Sequence, residues 1–279
     1  MMRLNQINQQ INQTFLNRSA FGNSLERLRK WIALISPMAV LTANVMVALP
    51  VNAVEFPSTG DRGAPGRTAG GGTRGGWCEH GMWTPEAAMA LVPGNNVSTF
   101  AGDQASLSIY ISDMFDHKRA EVYVQHAQTR ETVYHQQLTL TGLEEGGIVK
   151  MLLPSTDGAG GPLLAVEEDY FWEVAIICDV SDRTRDYTVQ GFLRRQAVGA
   201  DFLEEMATAA PTDQVERYAE AALWQETLQT AETLQGSEPE TWHELLLSVG
   251  LGNLPADNWV ECCQLVQTEE QETANATTR

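Results

Sequence analysis

From about residue 105 to residue 195 the chain alternates apolar and polar side chains with a period of two, and no other feature restricts its fold as much. Period two sends successive side chains to opposite faces of an extended strand, so one face can be buried while the other meets water. SLSIYIS places Leu107, Ile109 and Ile111 on one face, AEVYVQH places Val122 and Val124, and ETVYHQQLTL aligns Tyr134, Leu138 and Leu140. GIVKMLL, DYFWEVAIIC and DYTVQGFLRR continue the pattern. DYFWEVAIIC is apolar on nearly both faces and reads as a central strand, with Tyr170, Trp172, Val174, Ile176 and Cys178 on one side. Several short strands with turn signals between them predict an antiparallel β-sandwich over residues 77–198.

After about residue 200 the period changes to 3.6, the helical signal. ADFLEEMATAA runs into Pro211. TDQVERYAEAALWQETLQTAETLQ opens on a Thr/Asp cap and stops at Gly236, and PETWHELLLSVGLGNL is one more helix, capped by Gly250. The stretch ALWQETLQTA resembles the turn and second helix of a tetratricopeptide-type hairpin, with Ala222 in the glycine position, Trp224 in the aromatic one and Thr227 where that motif has alanine. One repeat is not an array, because stacking needs neighbours. The expected fold class is therefore α+β: the sandwich, then a small C-terminal helical region over residues 199–254, an αα-hairpin packed on it. The polar run 264–279 is expected to be a disordered tail.

The first 53 residues differ from the rest. Arg3, Arg18, Arg27, Arg29 and Lys30 face a single acid, Glu26, and the uncharged run Trp31–Leu49 is followed by PVNA. A basic region, an apolar region and a small-residue site make a secretory signal, with Val51-Asn52-Ala53 fitting the cleavage pattern and Ala53 as its last residue. The rival reading is an uncleaved anchor, since the run is about long enough to span a bilayer. Pro37, Asn44 and Pro50 weaken it as a permanent span, whereas a basic region of this length favours it. Under both readings the body lies outside the cytoplasm, in the periplasm or beyond, and touches the membrane only through an uncleaved leader. Without the leader, 13 basic and 35 acidic residues remain, a net charge of −22. Such a body repels phosphate backbones and excludes nucleic acid as a partner.

Four cysteines follow the leader: Cys78, Cys178, Cys262 and Cys263. In an oxidising compartment spaced cysteines pair by default, and Cys78 to Cys178 closes a loop of about 100 residues. Cys262 and Cys263 can stay reduced, pair with each other or link to a partner. Cys78 ends the run GAPGRTAGGGTRGGWC, which has three readings. A phosphate cradle needs a lysine and a preceding strand, and this run has neither. A flexible linker does not need Arg67, Arg74 and Trp77. The third reading is a strap over residues 54–76. Its glycine backbone lies close against the sandwich, its arginines pair with acids of the body, and Cys78 ties down its end.

The segments FPSTGDRGAPGRTAGGGTRGGWC, LVPGNN, YFWEVAIICDVSDRTRDYTVQGFLRR, YAEAALWQETLQTAETL and LLLSVGL occur in that order. Together they resemble the cyanobacterial domain of unknown function 928 family, over roughly residues 56–252. The resemblance implies export and a pairing of Cys78 with Cys178, the cysteine of the C-D-x-x-D-R block, and it implies no particular reaction. The segment His80–Glu86 and the Cys262-Cys263 tail depart from the family pattern.

Histidines 117, 126 and 135 are evenly spaced, but the strand register sends His126 to the face of Val122 and Val124 and His135 to the opposite one, so the two cannot share an ion. In CDVSDRTRD, Asp179, Asp182 and Asp186 surround Arg183 and Arg185. This is not the spacing of a calcium loop, and it reads as a turn held by Asp side chains and salt bridges, with an arginine free to brace the strap. No nucleophile motif is present. Glu144-Glu145 and Glu167-Glu168 fall in polar turns. Tyr110, Tyr123, Trp172 and Tyr187 could make a sugar platform, although such strand aromatics usually pack in the core. No cofactor, metal or catalytic residue is assigned. The sequence points to a non-catalytic interaction or structural protein of the cell envelope with an envelope protein as partner; the alternative is a secreted carbohydrate-binding module or hydrolase.

Overall fold

The structure is a computed structural model that describes residues 54–57, 87–113, 119–254 and 257–265. The strands are β1 (Ala88–Ala90), β2 (Val97–Phe100), β3 (Ser106–Ile111), β4 (Arg119–His126), β5 (Thr132–Thr139), β6 (Gly147–Leu152), β7 (Asp169–Ile176) and β8 (Tyr187–Arg195). Helices α1 (Ala200–Thr208), α2 (Pro211–Glu220), α3 (Trp224–Leu234) and α4 (Pro239–Ser248) follow, and then two-residue strands β9 (Trp259–Val260) and β10 (Gln264–Leu265). Gln264 and Leu265, assigned from sequence to the tail, thus pair with the end of β5.

Four strands form one sheet in the order β1-β3-β6-β9, and six form another in the order β10-β5-β4-β7-β8-β2. Neighbours are antiparallel except β2 with β8 and β6 with β9. The sheets are therefore mixed, which corrects the expectation of wholly antiparallel pairing. The cause lies in two strands too short to show a period. Val97–Phe100 is buried at all four residues, and the chain enters it by crossing from one sheet to the other rather than through a hairpin.

The two sheets share a core. Leu107, Ile109, Ile111, Val149 and Met151 of the smaller sheet meet Val122, Val124, Trp172, Val174, Ile176 and Leu193 of the larger. The intervening residues Tyr110 and Ile148 point the other way, into a second apolar cluster with Val215, Trp224, Leu228, Ala231, Trp242 and Leu245 of the helices. The four-stranded sheet thus packs apolar residues on both faces, with Leu152 at the end of β6 left exposed, and the described residues are built in three layers. Residues Asn52–Arg279 form one compact unit, while the other, Met1–Val51, lies outside the described residues.

The segment 212–235 divides into α2 and α3 at residues 221–223, within the stretch read from sequence as a turn and second helix. Ala222 sits at φ +54, the Leu223 N–H donates to the Tyr218 carbonyl, and the Ala222 N–H to that of Ala219. This is a left-handed helix terminus with alanine where glycine is favoured. The same motif closes α4 on Gly250, at φ +75, as expected. Ala222→Gly should raise stability by about 0.5–1 kcal/mol, because removing Cβ relieves the left-handed conformation. Chemical denaturation checks this, and a lowered midpoint counts against it. The start of α2 also differs: Thr212 and Asp213 lie inside the first turn, and Pro211 takes the first helical position, where its missing N–H costs nothing.

Candidate functional site

Alternate residues of the six-stranded sheet that do not enter the core make an outer face. Register brings Tyr123 of β4 opposite His135 of β5 and Glu173 of β7, Glu173 opposite Gln190 of β8, and Phe171 opposite Phe192. Tyr123, Phe171, Glu173, Gln190 and Phe192 are half-buried and His135 is exposed. Tyr123 and His135 stack at 4.3 Å with their planes 8° apart, and Phe171 meets Phe192 edge-on at 5.7 Å.

At one end of this face lies Glu121, only 4% exposed. The turn between β7 and β8 is built locally by its aspartates. Asp179 accepts hydrogen bonds from the Ser181 N–H and hydroxyl at 2.8 and 2.7 Å, and Asp182 caps a 3₁₀ turn over Arg183–Arg185 by accepting from the Thr184 N–H at 3.2 Å. Such Asx bonds set the backbone without tertiary help. They aim Arg183 back across the sheet, where its Nη2 donates to Glu121 Oε2 at 2.6 Å and its Nε to Asp186 Oδ2 at 2.5 Å. Asp186, itself buried, also accepts the Cys178 N–H at 3.4 Å. On the other side of Glu121, Oε1 meets His135 Nε2 at 2.7 Å and accepts from Gln137 Nε2 at 3.3 Å.

Burial alone would raise the Glu121 carboxyl, but hydrogen bonds from Arg183, His135, Tyr123 and Gln137 outweigh it and hold the group at about 2. Glu121 is therefore an ionised acceptor whose lone pairs are taken, a strut between strand and turn rather than a proton donor. Glu173 is pushed up instead, by burial and then by the nearby Asp186. Because the Glu121 pKa is depressed on folding, its contribution is present above the ordinary value of 4.5 and lost as pH falls toward 2. Glu121→Gln should cost about 2–3 kcal/mol at neutral pH. The deficit relative to wild type should shrink on acidification through that window in denaturant titrations. A deficit independent of pH would contradict the assignment.

A second polar set joins β2 and β3 to the helices. Trp224 Nε1 donates to the Leu91 carbonyl at 2.8 Å, Gln225 Oε1 accepts from the Ser106 N–H at 2.8 Å, and Glu226 Oε1 accepts from the Ala101 N–H at 2.7 Å. Thr99 donates its hydroxyl to the Ala222 carbonyl and accepts the Trp224 N–H at 3.1 Å. The stretch with repeat-like spacing is thus the seam of the layers.

The sequence-singled residues fall as follows. Ala53, Arg67, Arg74, Trp77, Cys78 and His117, and the Arg185 side chain, lie outside the described residues. Cys178 is buried and disulfide-bonded. Cys262 and Cys263 are bonded to each other. Asp179, Asp182, Arg183 and Asp186 come together in one turn, and only Arg183 and Asp186 reach the outer face. His126 lies on the core side, edge-on to Tyr170 at 5.4 Å, and His135 lies on the other. Tyr110, Trp172 and Tyr187 are buried, which corrects the grouping of four aromatics as a platform and leaves only Tyr123 outside. Phe171, Phe192, Glu121 and His135 complete the face. Glu121 and Arg183 stand 62 residues apart, so no local motif could join them. Among the described residues no His, Cys, Asp and Glu group is arranged to hold a metal ion, and no helix is long and apolar enough to cross a membrane.

The geometry defines an α+β protein with two mixed sheets, a helical layer and an outer sheet face braced by an ion-pair strut. The chain belongs to the family described as Domain of Unknown Function (DUF928), whose model matches residues 69–258. No curated protein and no solved structure shows significant similarity to it.

Proposed function

We propose that the protein is an exported, non-catalytic component of the cell envelope that docks a partner protein on the outer face of its six-stranded sheet. One observation carries this reading: the most strongly perturbed carboxylate of the face, Glu121, is saturated by its own neighbours, while the rings of Tyr123, Phe171 and Phe192 on the same face remain partly open. A reaction centre keeps its ionisable group available, whereas an interface keeps aromatic anchors available. The leader motif and the disulfide-bonded Cys178 support export to an oxidising compartment. In this reading the sheets form a sandwich scaffold, α2 and α3 form an αα-hairpin seated on it, and a Cys78–Cys178 bridge pins the glycine-rich strap.

The test is affinity capture from envelope fractions with wild type and with Tyr123→Ala/Phe171→Ala. A protein retained by the first and lost by the second is expected; equal retention by both, or none by either, would sink the reading. The two ring pairs, with Gln125, Glu173 and Gln190 between them, also favour a second reading, stacking on a neutral glycan. A glycan array with no signal removes it.

A further inference from the structure

Asp257–Leu265 ties the two sheets together. Trp259 and Val260 run alongside Ile148 and Val149 of the smaller sheet, and Gln264 and Leu265 alongside Thr139 and Leu138 of the larger. The crossing between them is Glu261-Cys262-Cys263. The first half is firmly seated. The Ile148 N–H donates to the Asn258 carbonyl at 2.8 Å and Asn258 Nδ2 to the Gly146 carbonyl at 3.2 Å. Gly142 and Gly147 leave room for Val260: a Cβ on them would fall 2.9 and 2.5 Å from its methyls. The second half holds by a two-residue pairing at the sheet edge. Between the halves Cys262 and Cys263 are bonded to each other, half-buried against the sheet core. Cys263 is kept at φ +117, a conformation that a residue with a Cβ rarely adopts.

We propose that Cys262–Cys263 is a reversible thiol–disulfide site that decides whether β10 stays on the edge of the six-stranded sheet. A bond between adjacent cysteines closes a small ring around their own peptide and so dictates the backbone direction at the crossing. A dithiol reductant breaks this S–S bond: two electrons and two protons pass to Cys262 and Cys263, which become thiols, and the reductant leaves as its own disulfide. Cys263 then returns to negative φ, the chain leaves the crossing in another direction, and Gln264–Leu265 lose their aim at β5. Two pairs of strand residues cannot hold an edge unaided, so this segment opens without unfolding the rest. The edge of β5 near Leu138 and Thr139 is then uncovered.

The test is hydrogen exchange with mass analysis on the full chain, oxidised and after dithiothreitol, with differential alkylation to count thiols. The Cys262→Ser/Cys263→Ser variant keeps the Cys178 disulfide and isolates the adjacent pair. Amides at the C-terminal end of β5 should exchange at least about tenfold faster in reduced wild type and in the double variant than in oxidised wild type, and reoxidation should restore protection. Equal exchange in oxidised wild type and the double variant would overturn the proposal, as would oxidised protein in which the two cysteines alkylate freely.

Discussion

Trp224→Ala should lower stability by about 3–5 kcal/mol, the range for deleting a fully buried large aromatic. Trp224 is the meeting point of the layers: 1% exposed, it donates from its indole to Leu91, receives Phe56 edge-on at 5.0 Å, and anchors the first turn of α3 on Thr99. Alanine leaves a cavity there and orphans the Leu91 carbonyl. Because the smaller sheet shares one cluster with the helices and another with the larger sheet, the loss should reach the whole molecule. Far-ultraviolet circular dichroism, which follows the helices, and amide exchange in β7, which follows the larger sheet, should shift to lower denaturant together. Helices that melt early while β7 keeps its wild-type midpoint would show that the seam does not couple the layers.

Cys178→Ala should cost the oxidised protein about 3–5 kcal/mol if its bond runs to Cys78 as proposed, since such a bridge removes the closure entropy of a loop of about 100 residues. The variant should behave like wild type under reductant, and the same reductant should change its own stability far less. Unreduced peptide mapping identifies the partner directly. An unchanged melting temperature in Cys178→Ala, or a peptide joining Cys178 to a residue other than Cys78, contradicts the bridge. The effect should be largest at the β7–β8 turn, because the Cys178 N–H is also held by Asp186, which holds Arg183 on Glu121.

The core side of the strands was legible. Leu107, Ile109 and Ile111, like Val122 and Val124, enter the shared core as their alternation demands. Ala222 and Gly250 take the left-handed conformations that their motifs call for. The site was only half legible. Asp182, Arg183 and Asp186 advertise a turn because their bonds are short-range, but Glu121 lies far up the chain and is one acid among many. Trp172 was placed inward by its alternation with Val174 and Ile176, but Tyr110 and Tyr123 looked alike, each opposite the core face of its strand. Which of these two reached water depended on whether a second layer covered that side.

The amino-acid order alone determined the longer strands, the helices and their inward residues, because steric preference and burial period act within a few neighbouring residues, whereas the short β1, β2, β9 and β10 carry no period to read. Only the tertiary structure decided that β2 and β9 join their sheets in parallel, that helices cover the outer side of the smaller sheet, and that Glu121, His135 and Arg183 meet. Those outcomes hang on contacts between residues 14 or more apart, such as Glu121 with His135 and, 62 residues away, Arg183, whose free energy belongs to the packing of the whole and leaves no mark on any short stretch.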